Sequence, residues 1–501
     1  MTISGISPNV APLIQSALDI NKQLEDLQRQ LGSGQKATTY AGLGSQSGIA
    51  VALSAQLSAL SGFNDTITNV GTSISLQQLV LQQIASIGSN VQSGARQPVY
   101  AIDSSGQTTA QKTAQSQLDQ ILGLLNTQGG SGYLFSGSGM SQTSVDTTDH
   151  ILNGNGSQAG LKQVIAERNQ ADLGADGLGR LVIPAASGTS VSVSEDAAGS
   201  PFGLKLAGVS SSLTGATVTG PAGSPAAISV KLGATNPNSG DTITYTFSLP
   251  DGTSQTLQLQ ATTSTPPGPN QFTIGATPAA TAANLQAALT GGVSQIGNTS
   301  LSAASTMVAS NDFFDDPPQR VSGSPATSTT LVDGTSANTV FWYTGDDSAG
   351  SPRSTAVARI DTTTTVSYGT QANEQGIRWI VQNIAALAAK SYSAGDPNAA
   401  ASYAALNQRV YSALAVPAGV QNITDIESSL ANAQTTMAAT QSQQKTTSNT
   451  LTNMLQSIEG VDQNQVGAEI LSLQTSLSAS LTTTARMAQL NLLSYLAPVS
   501  G

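Results

Sequence analysis

The side chain with the widest chemical range in this sequence is its one histidine, His150, which follows Asp146 and Asp149 in the run Ser-Val-Asp-Thr-Thr-Asp-His-Ile-Leu. An imidazole beside two carboxylates offers a divalent-cation site or a proton-transfer pair. The Asp/Thr-rich surroundings at a domain boundary read instead as a solvated turn. Asp312, Asp315 and Asp316 ahead of Pro317-Pro318 form a second acidic group, read as a charged loop ended by prolines. Gly154, Gly156 and Gly160 do not make a dinucleotide fingerprint, because the spacing is wrong and no strand leads in. A zinc-protease HExxH pair needs two histidines, and the absence of cysteine removes thiol, disulfide and Cys-metal chemistry together. No triad can be assembled. The sequence therefore assigns no catalytic, cofactor-binding or metal residue, and an enzyme is not expected.

What such residues would have to be positioned by is more informative. Leu13, Ala17, Ile20, Leu24, Leu27 and Leu31 keep one apolar stripe until Gly32 and Gly34 stop it. A second helix is predicted from about Ser45 to Val91, its stripe running Leu60, Phe63, Ile67, Val70, Ile74, Gln77, Leu81, Ile84 and Val91. At ~1.5 Å per residue it is roughly 60–70 Å long, too long for one compact domain. A third helix is predicted over about Thr109 to Leu125. At the other end, Ile426, Leu430, Ala433, Met437, Leu451, Met454/Leu455 and Ile458 mark a long helix. Its middle has Thr440, Gln444 and Thr447 on the seam and should pack weakly. After Gly460, Asp462 can cap a last helix, with Gln465 three residues on. Val466, Ile470, Leu473, Leu477, Leu481 and Met487 are its apolar side, and the chain closes on Leu490, Leu492, Leu493 and Leu496.

Charged residues are 9% and aromatics 4%, against roughly 25% charged in ordinary soluble domains. Gln, Ser, Thr and Asn take their place on the helix surfaces, which favours close packing against copies of the same chain. A net charge of −11 without a Lys/Arg cluster gives no footprint for nucleic acid or an anionic membrane. The N-terminus has no basic residue before Lys22 and no unbroken apolar core, so no secretory signal is expected, and no apolar run approaches the ~18 residues of a membrane span.

Between the helical ends, about Gly139 to Gly369 reads as β-rich. The clearest hairpin runs from Asp241 to Gln260 around Pro250-Asp251-Gly252. A short helix is predicted over Thr281 to Leu289, and a strand pair between Val340–Tyr343 and Val357–Val366. The expected fold is α+β: a long antiparallel helical rod formed by the N- and C-terminal segments, with a β-rich outer domain inserted in the middle. The segments are 1–40 and 461–501 (assembly helices), 41–138 and 370–460 (the two halves of the rod) and 139–369 (the outer domain).

Five segments resemble the bacterial flagellin family. Leu31 to Thr38 (LGSGQKAT) is similar to its helix-ending turn, and Tyr40 to Leu60 sits where the family opens its second helix. Gly132 to Gly137 (GYLFSG) and Trp342 to Asp347 (WYTGDD), the latter followed by Arg353, Arg359, Ile360 and Val366 to Gly369, resemble elements of the hook-filament junction members. Leu492 to Leu496 (LLSYL) resembles the family's C-terminal end. Tyr40-Ala41-Gly42-Leu43-Gly44 replaces the Asp-Ala-Ala-Gly-type pattern of filament flagellins, so the junction-type member is preferred on motif detail.

The resemblance implies a structural axial subunit of the flagellum that pairs its terminal helices, stacks helically and supports motility. It implies an extracellular location, reached by type III export without a cleaved signal. Its partners would be itself, hook-associated proteins, flagellin and an export chaperone, with no cofactor. The implied assembly interface is Leu13, Ile20, Leu24, Leu27, Leu31, Ile470, Leu473, Leu477, Leu481, Met487, Leu493 and Leu496. A different class also fits the composition: an extracellular adhesin-like binding module presenting the β-rich middle.

Overall fold

The computed structural model describes residues 11–130, 132–346, 348 and 350–495. The fold is α+β, with long helices at both ends and the strands between them. The helices are α1 (Ala11–Ser33), α2 (Ser47–Ala95), α3 (Thr109–Leu125), α4 (Thr148–Asn153), α5 (Leu161–Leu173), α6 (Pro278–Ile296), α7 (Ser302–Phe314), α8 (Gln375–Ala389), α9 (Ala399–Ala413), α10 (Ile423–Glu459) and α11 (Gln463–Tyr495). The described residues divide into two compact units. Unit 1 holds the chain up to Asn69, Arg359–Val366 and everything from Thr435; unit 2 holds Val70–Ala358 and Ser367–Gln434.

In unit 2 the two four-stranded sheets are antiparallel except at one edge. The first has the order β3 (Leu181–Val182), β4 (Ser190–Glu195), β7 (Ala227–Lys231), β6 (Thr217–Ala222). The second has the order β10 (Gln271–Thr273), β9 (Ser254–Thr262), β8 (Thr242–Ser248), β5 (Lys205–Ser211), with β10 parallel to β9. The hairpin expected from the sequence is β8–β9. Its alternation buries Ile243, Tyr245 and Phe247 on one strand and Leu257 and Leu259 on the other. Both sheets share one core with Leu285, Leu289 and Val293 of α6.

The short helix expected over Thr281 to Leu289 is far longer. Thr277 caps it, Pro278 opens it, and after a π turn at Gly297–Leu301 it continues as α7. The Gly291-Gly292 pair does not stop it, because a Cβ at Gly292 would fall 2.7 Å from the Leu257 side chain: the glycine lets the helix lie on the sheet. The expected pairing of Val340–Tyr343 with Val357–Val366 does not form. Tyr343 bridges Val145 instead, and β13 (Val357–Arg359) pairs with β14 (Thr365–Ser367) as its own ribbon. Two more ribbons are β1–β2 (Gln128–Gly129, Gly132–Tyr133) and β11–β12 (Gln319–Val321, Leu331–Asp333).

The α2 stripe is buried in unit 2 from Val70 through Ile74, Gln77, Leu81 and Ile84 to Val91. Gln77, polar and only 2% exposed, donates through Nε2 to Thr370 Oγ1 at 2.9 Å, while its Oε1 has no partner among the described residues. A capping box of Thr108 and Gln111 starts α3.

Candidate assembly surface

Unit 1 is built on the antiparallel pair α1 and α11. Gly34 ends α1 in a left-handed conformation (φ +71), which only glycine adopts without strain. Its carbonyl accepts from Val461 N at 3.1 Å, while Lys36 N donates to Glu459 O at 2.7 Å. The Lys36 ammonium then caps the end of α10, donating to Ser457 O at 3.2 Å and Ile458 O at 3.0 Å. Asp462 Oδ1 caps α11, accepting from Asn464 N and Gln465 N. Gln465 does not reach back as a capping box would; it donates to Glu469. The segment LGSGQKAT is thus a clip that holds the end of α1 against the start of α11. The role of Lys36 could not be read from the sequence, because its carbonyl partners lie more than 400 residues away.

The seam between the helices keeps a three-four spacing. On α1 Leu13, Ala17, Ile20, Leu24, Leu27 and Gln30 are half-buried; on α11 Val466 and Ile470 are buried, and Leu473, Leu477, Ser480 and Thr484 half-buried. Three predicted interface residues stand off it: Leu31 is 38% exposed, Leu481 55% and Met487 42%. Gln30 takes the seam position next to Leu31, and Ser480 the one next to Leu481. Met487 keeps the three-four spacing but is exposed. The side chain of Leu493, and all of Leu496 and Asp347, lie outside the described residues.

At the polar centre of α10 one side chain is buried. Gln444 is 3% exposed and donates to Ile360 O at 2.6 Å, and Ile360, at the turn of the β13–β14 ribbon, is fully buried. Ser448 rather than Thr447 follows it on the seam. Large hydrophobic residues left open to solvent concentrate in this unit: Ile14, Leu18, Leu31, Tyr40, Ile49, Val51, Met454, Leu471, Leu481 and Met487. Unit 2, more than twice as long, leaves six exposed.

In unit 2 the GYLFSG and WYTGDD segments meet. Asp346 N donates to Ser136 O at 2.9 Å, Ala372 N to Phe135 O at 2.8 Å, and the Gln371 amide to Asp346 O at 2.7 Å. Gly137 (φ +67) sits where a Cβ would run into the Asp346 carbonyl oxygen. Gly130 has the same φ with open space around it. Alanine at Gly130 should therefore cost only the ~1–2 kcal/mol of the left-handed conformation. Alanine at Gly137 should cost at least about 1 kcal/mol more, measured by denaturant unfolding of the two variants.

The acidic groups singled out in the sequence are engaged within the fold. His150 lies on α4 rather than in a solvated turn, with Ile151 and Leu152 buried beside it, and its Nδ1 is 2.5 Å from Asp146 Oδ2. Asp312 accepts from Arg168 Nη1 and Asp315 from Arg378 Nη1, each at 2.8 Å. Arg168 also bonds Asp172, at 2.9 Å, and stacks over Phe202. Burial raises the Asp172 carboxyl above its usual range against the pull of Arg168, and raises Asp312 to about 6. Burial lowers the Lys390 ammonium to about 8; its Nζ donates to Ser302 Oγ at 3.0 Å. Among the described residues no three His, Cys, Asp or Glu side chains gather as a metal site, and no helix is long and apolar enough to cross a membrane.

The described residues thus combine paired terminal helices, strands between them and large hydrophobic side chains left exposed on the pair. Residues 9–140 match the family model of the bacterial flagellin N-terminal helical region, which supports a bacterial flagellin-family protein. No curated protein matches the chain. Flagellin-family proteins are structural, self-associate into filaments and form the extracellular flagellar filament, and the matched N-terminal region supports an axial subunit of that kind.

Proposed function

We propose that this chain is a hook-filament junction-type axial subunit that supports motility by helical assembly through α1 and α11. The observation that carries the assembly surface is the concentration of exposed Leu, Ile, Val and Met in unit 1, which a chain acting alone would have no reason to leave in water. Ile14 and Leu18 on α1, with Leu471 and Leu481 on α11, are available to other copies, while Leu13, Ile20, Leu24, Leu27, Ile470, Leu473 and Leu477 hold the pair together. Residues 1–40 and 461–501 act as the assembly helices, 41–138 and 370–460 as the inner helical part and 139–369 as the outer domain. Export by the flagellar type III route, with a chaperone covering the apolar ends, fits the same surface.

Junction type is favoured over filament type by the joined GYLFSG and WYTGDD segments. A filament subunit meets only copies of itself, whereas a junction subunit meets different proteins on its two sides. Cells lacking this protein should carry hooks without filaments and release filament subunits into the medium, seen by electron microscopy and immunoblotting. Full-length filaments on such cells overturn the junction assignment. Bare hooks with no filament subunit in the medium identify the chain as the filament flagellin.

A further inference from the structure

Unit 2 has a groove of about 770 Å³ bordered by the β8–β9 turn, α7, α8 and the end of α9. That volume lies in the ~300–1,000 Å³ range of small-molecule sites. Its lining includes Trp379, one of only two tryptophans in the chain. The other, Trp342, is 3% exposed, whereas Trp379 is only half-buried. The Trp379 indole N–H donates to Ala413 O at 2.7 Å, which fixes the ring plane and leaves its remaining exposed surface apolar.

Around the ring stand carboxamides. Gln382 Nε2 donates to Asn311 Oδ1 at 3.3 Å, leaving Asn311 Nδ2 and Gln382 Oε1 without a partner among the described residues. Gln408 Oε1 is likewise unengaged. Donors and acceptors thus alternate beside an aromatic surface. The charges in the groove neutralise each other: Arg409 Nε donates to Asp251 Oδ2 at 2.6 Å, and its two other nitrogens donate to Ala405 O and Thr253 Oγ1. No cation is left to hold a phosphate or carboxylate.

We propose that this groove binds a neutral carbohydrate, its C–H face against Trp379 and its hydroxyls on Asn311, Gln382 and Gln408. A sugar matches all three features at once: a flat apolar face, hydroxyls that both donate and accept, and no charge. The assignment is independent of the assembly surface in unit 1.

The test is titration of the full chain with a panel of neutral di- and trisaccharides of glucose, galactose and N-acetylglucosamine. Tryptophan fluorescence and ligand-observed NMR are the readouts. At least one sugar should bind saturably with a Kd on the order of 1 mM or below. Trp379→Ala should weaken that binding at least tenfold. Asn311→Ala and Gln408→Ala, at exposed positions that leave the core intact, should weaken it several-fold. No saturable binding by any member of the panel overturns the proposal, as does binding that all three variants retain.

Discussion

Replacing Leu471 and Leu481 together by serine should remove the chain from purified flagella while leaving the free monomer as stable as before. The two side chains are 66% and 55% exposed, so substituting them changes little buried surface, and the monomer should stay within about 0.5 kcal/mol of the parent. In an assembled lattice the same side chains would be covered by other copies. Each leucine fully buried there would contribute roughly 1.5–3 kcal/mol, and a lattice repeats the loss at every subunit. Incorporation should fall at least tenfold, read by immunoblot of sheared flagella against secreted protein. Ending the chain before Leu473 goes further, since it removes Leu473 and Leu477 from the seam and leaves Leu13, Ile20 and Leu24 without their partners. That truncation should be secreted as a soluble monomer and be absent from flagella. Normal incorporation of either variant would exclude α1 and α11 as the assembly surface.

The helices were legible because their apolar spacing is long and regular. Thr109–Leu125 was bounded to the residue, and the α2 stripe through Ile67, Ile74, Leu81 and Ile84 is buried as its periodicity requires. The errors come where neighbouring residues compete for one seam position. Leu31 beside Gln30, Leu481 beside Ser480 and Thr447 beside Ser448 were each resolved by helix phase rather than by hydrophobicity. Ranking leucine above glutamine or serine puts Leu31 and Leu481 on the seam of the pair, whereas the helix phase leaves both side chains exposed. Gln444 is a different case: its amide donates to the carbonyl of Ile360, 84 residues away, a bond that no local pattern announces, while its Oε1 has no partner among the described residues. The strand pairing of Val340–Tyr343 was missed for the same reason, since its bridge to Val145 closes a loop of nearly 200 residues. The carboxamides around Trp379 come from three helices and carry no motif at all.

The largest stability effect in unit 2 should come from Arg168. Its guanidinium, 4% exposed, serves two carboxylates: Asp172, whose side chain is fully buried, and Asp312, 16% exposed. Asp172 Oδ1 also accepts from Gly203 N at 2.8 Å, tying α5 to the segment that leads into β5. Arg168→Met would leave the buried Asp172 and the partly buried Asp312 without a cation and should cost about 3–5 kcal/mol by denaturant unfolding at pH 7.5. Asp312→Asn should act in the opposite direction. Partial burial, with the Asp172 carboxylate nearby, raises the Asp312 carboxyl from 3.8 to about 6 against the pull of Arg168. A carboxyl raised on folding contributes stability that is full below its unfolded value near 3.8 and is lost as pH rises through about 6. At ~1.4 kcal/mol per pH unit, that window is worth about 3 kcal/mol. The parent should therefore gain stability from this group between pH 7 and pH 4. Asp312→Asn, neutral throughout and still able to accept from Arg168, should be no less stable than the parent at pH 7.5 and should lose that pH-dependent gain. Unfolding titrations of both chains across pH 4 to 7.5 decide it: parallel curves would mean that Arg168 keeps both carboxylates ionised, and that the pair with Asp312 is an ordinary ion pair rather than a shared-proton site.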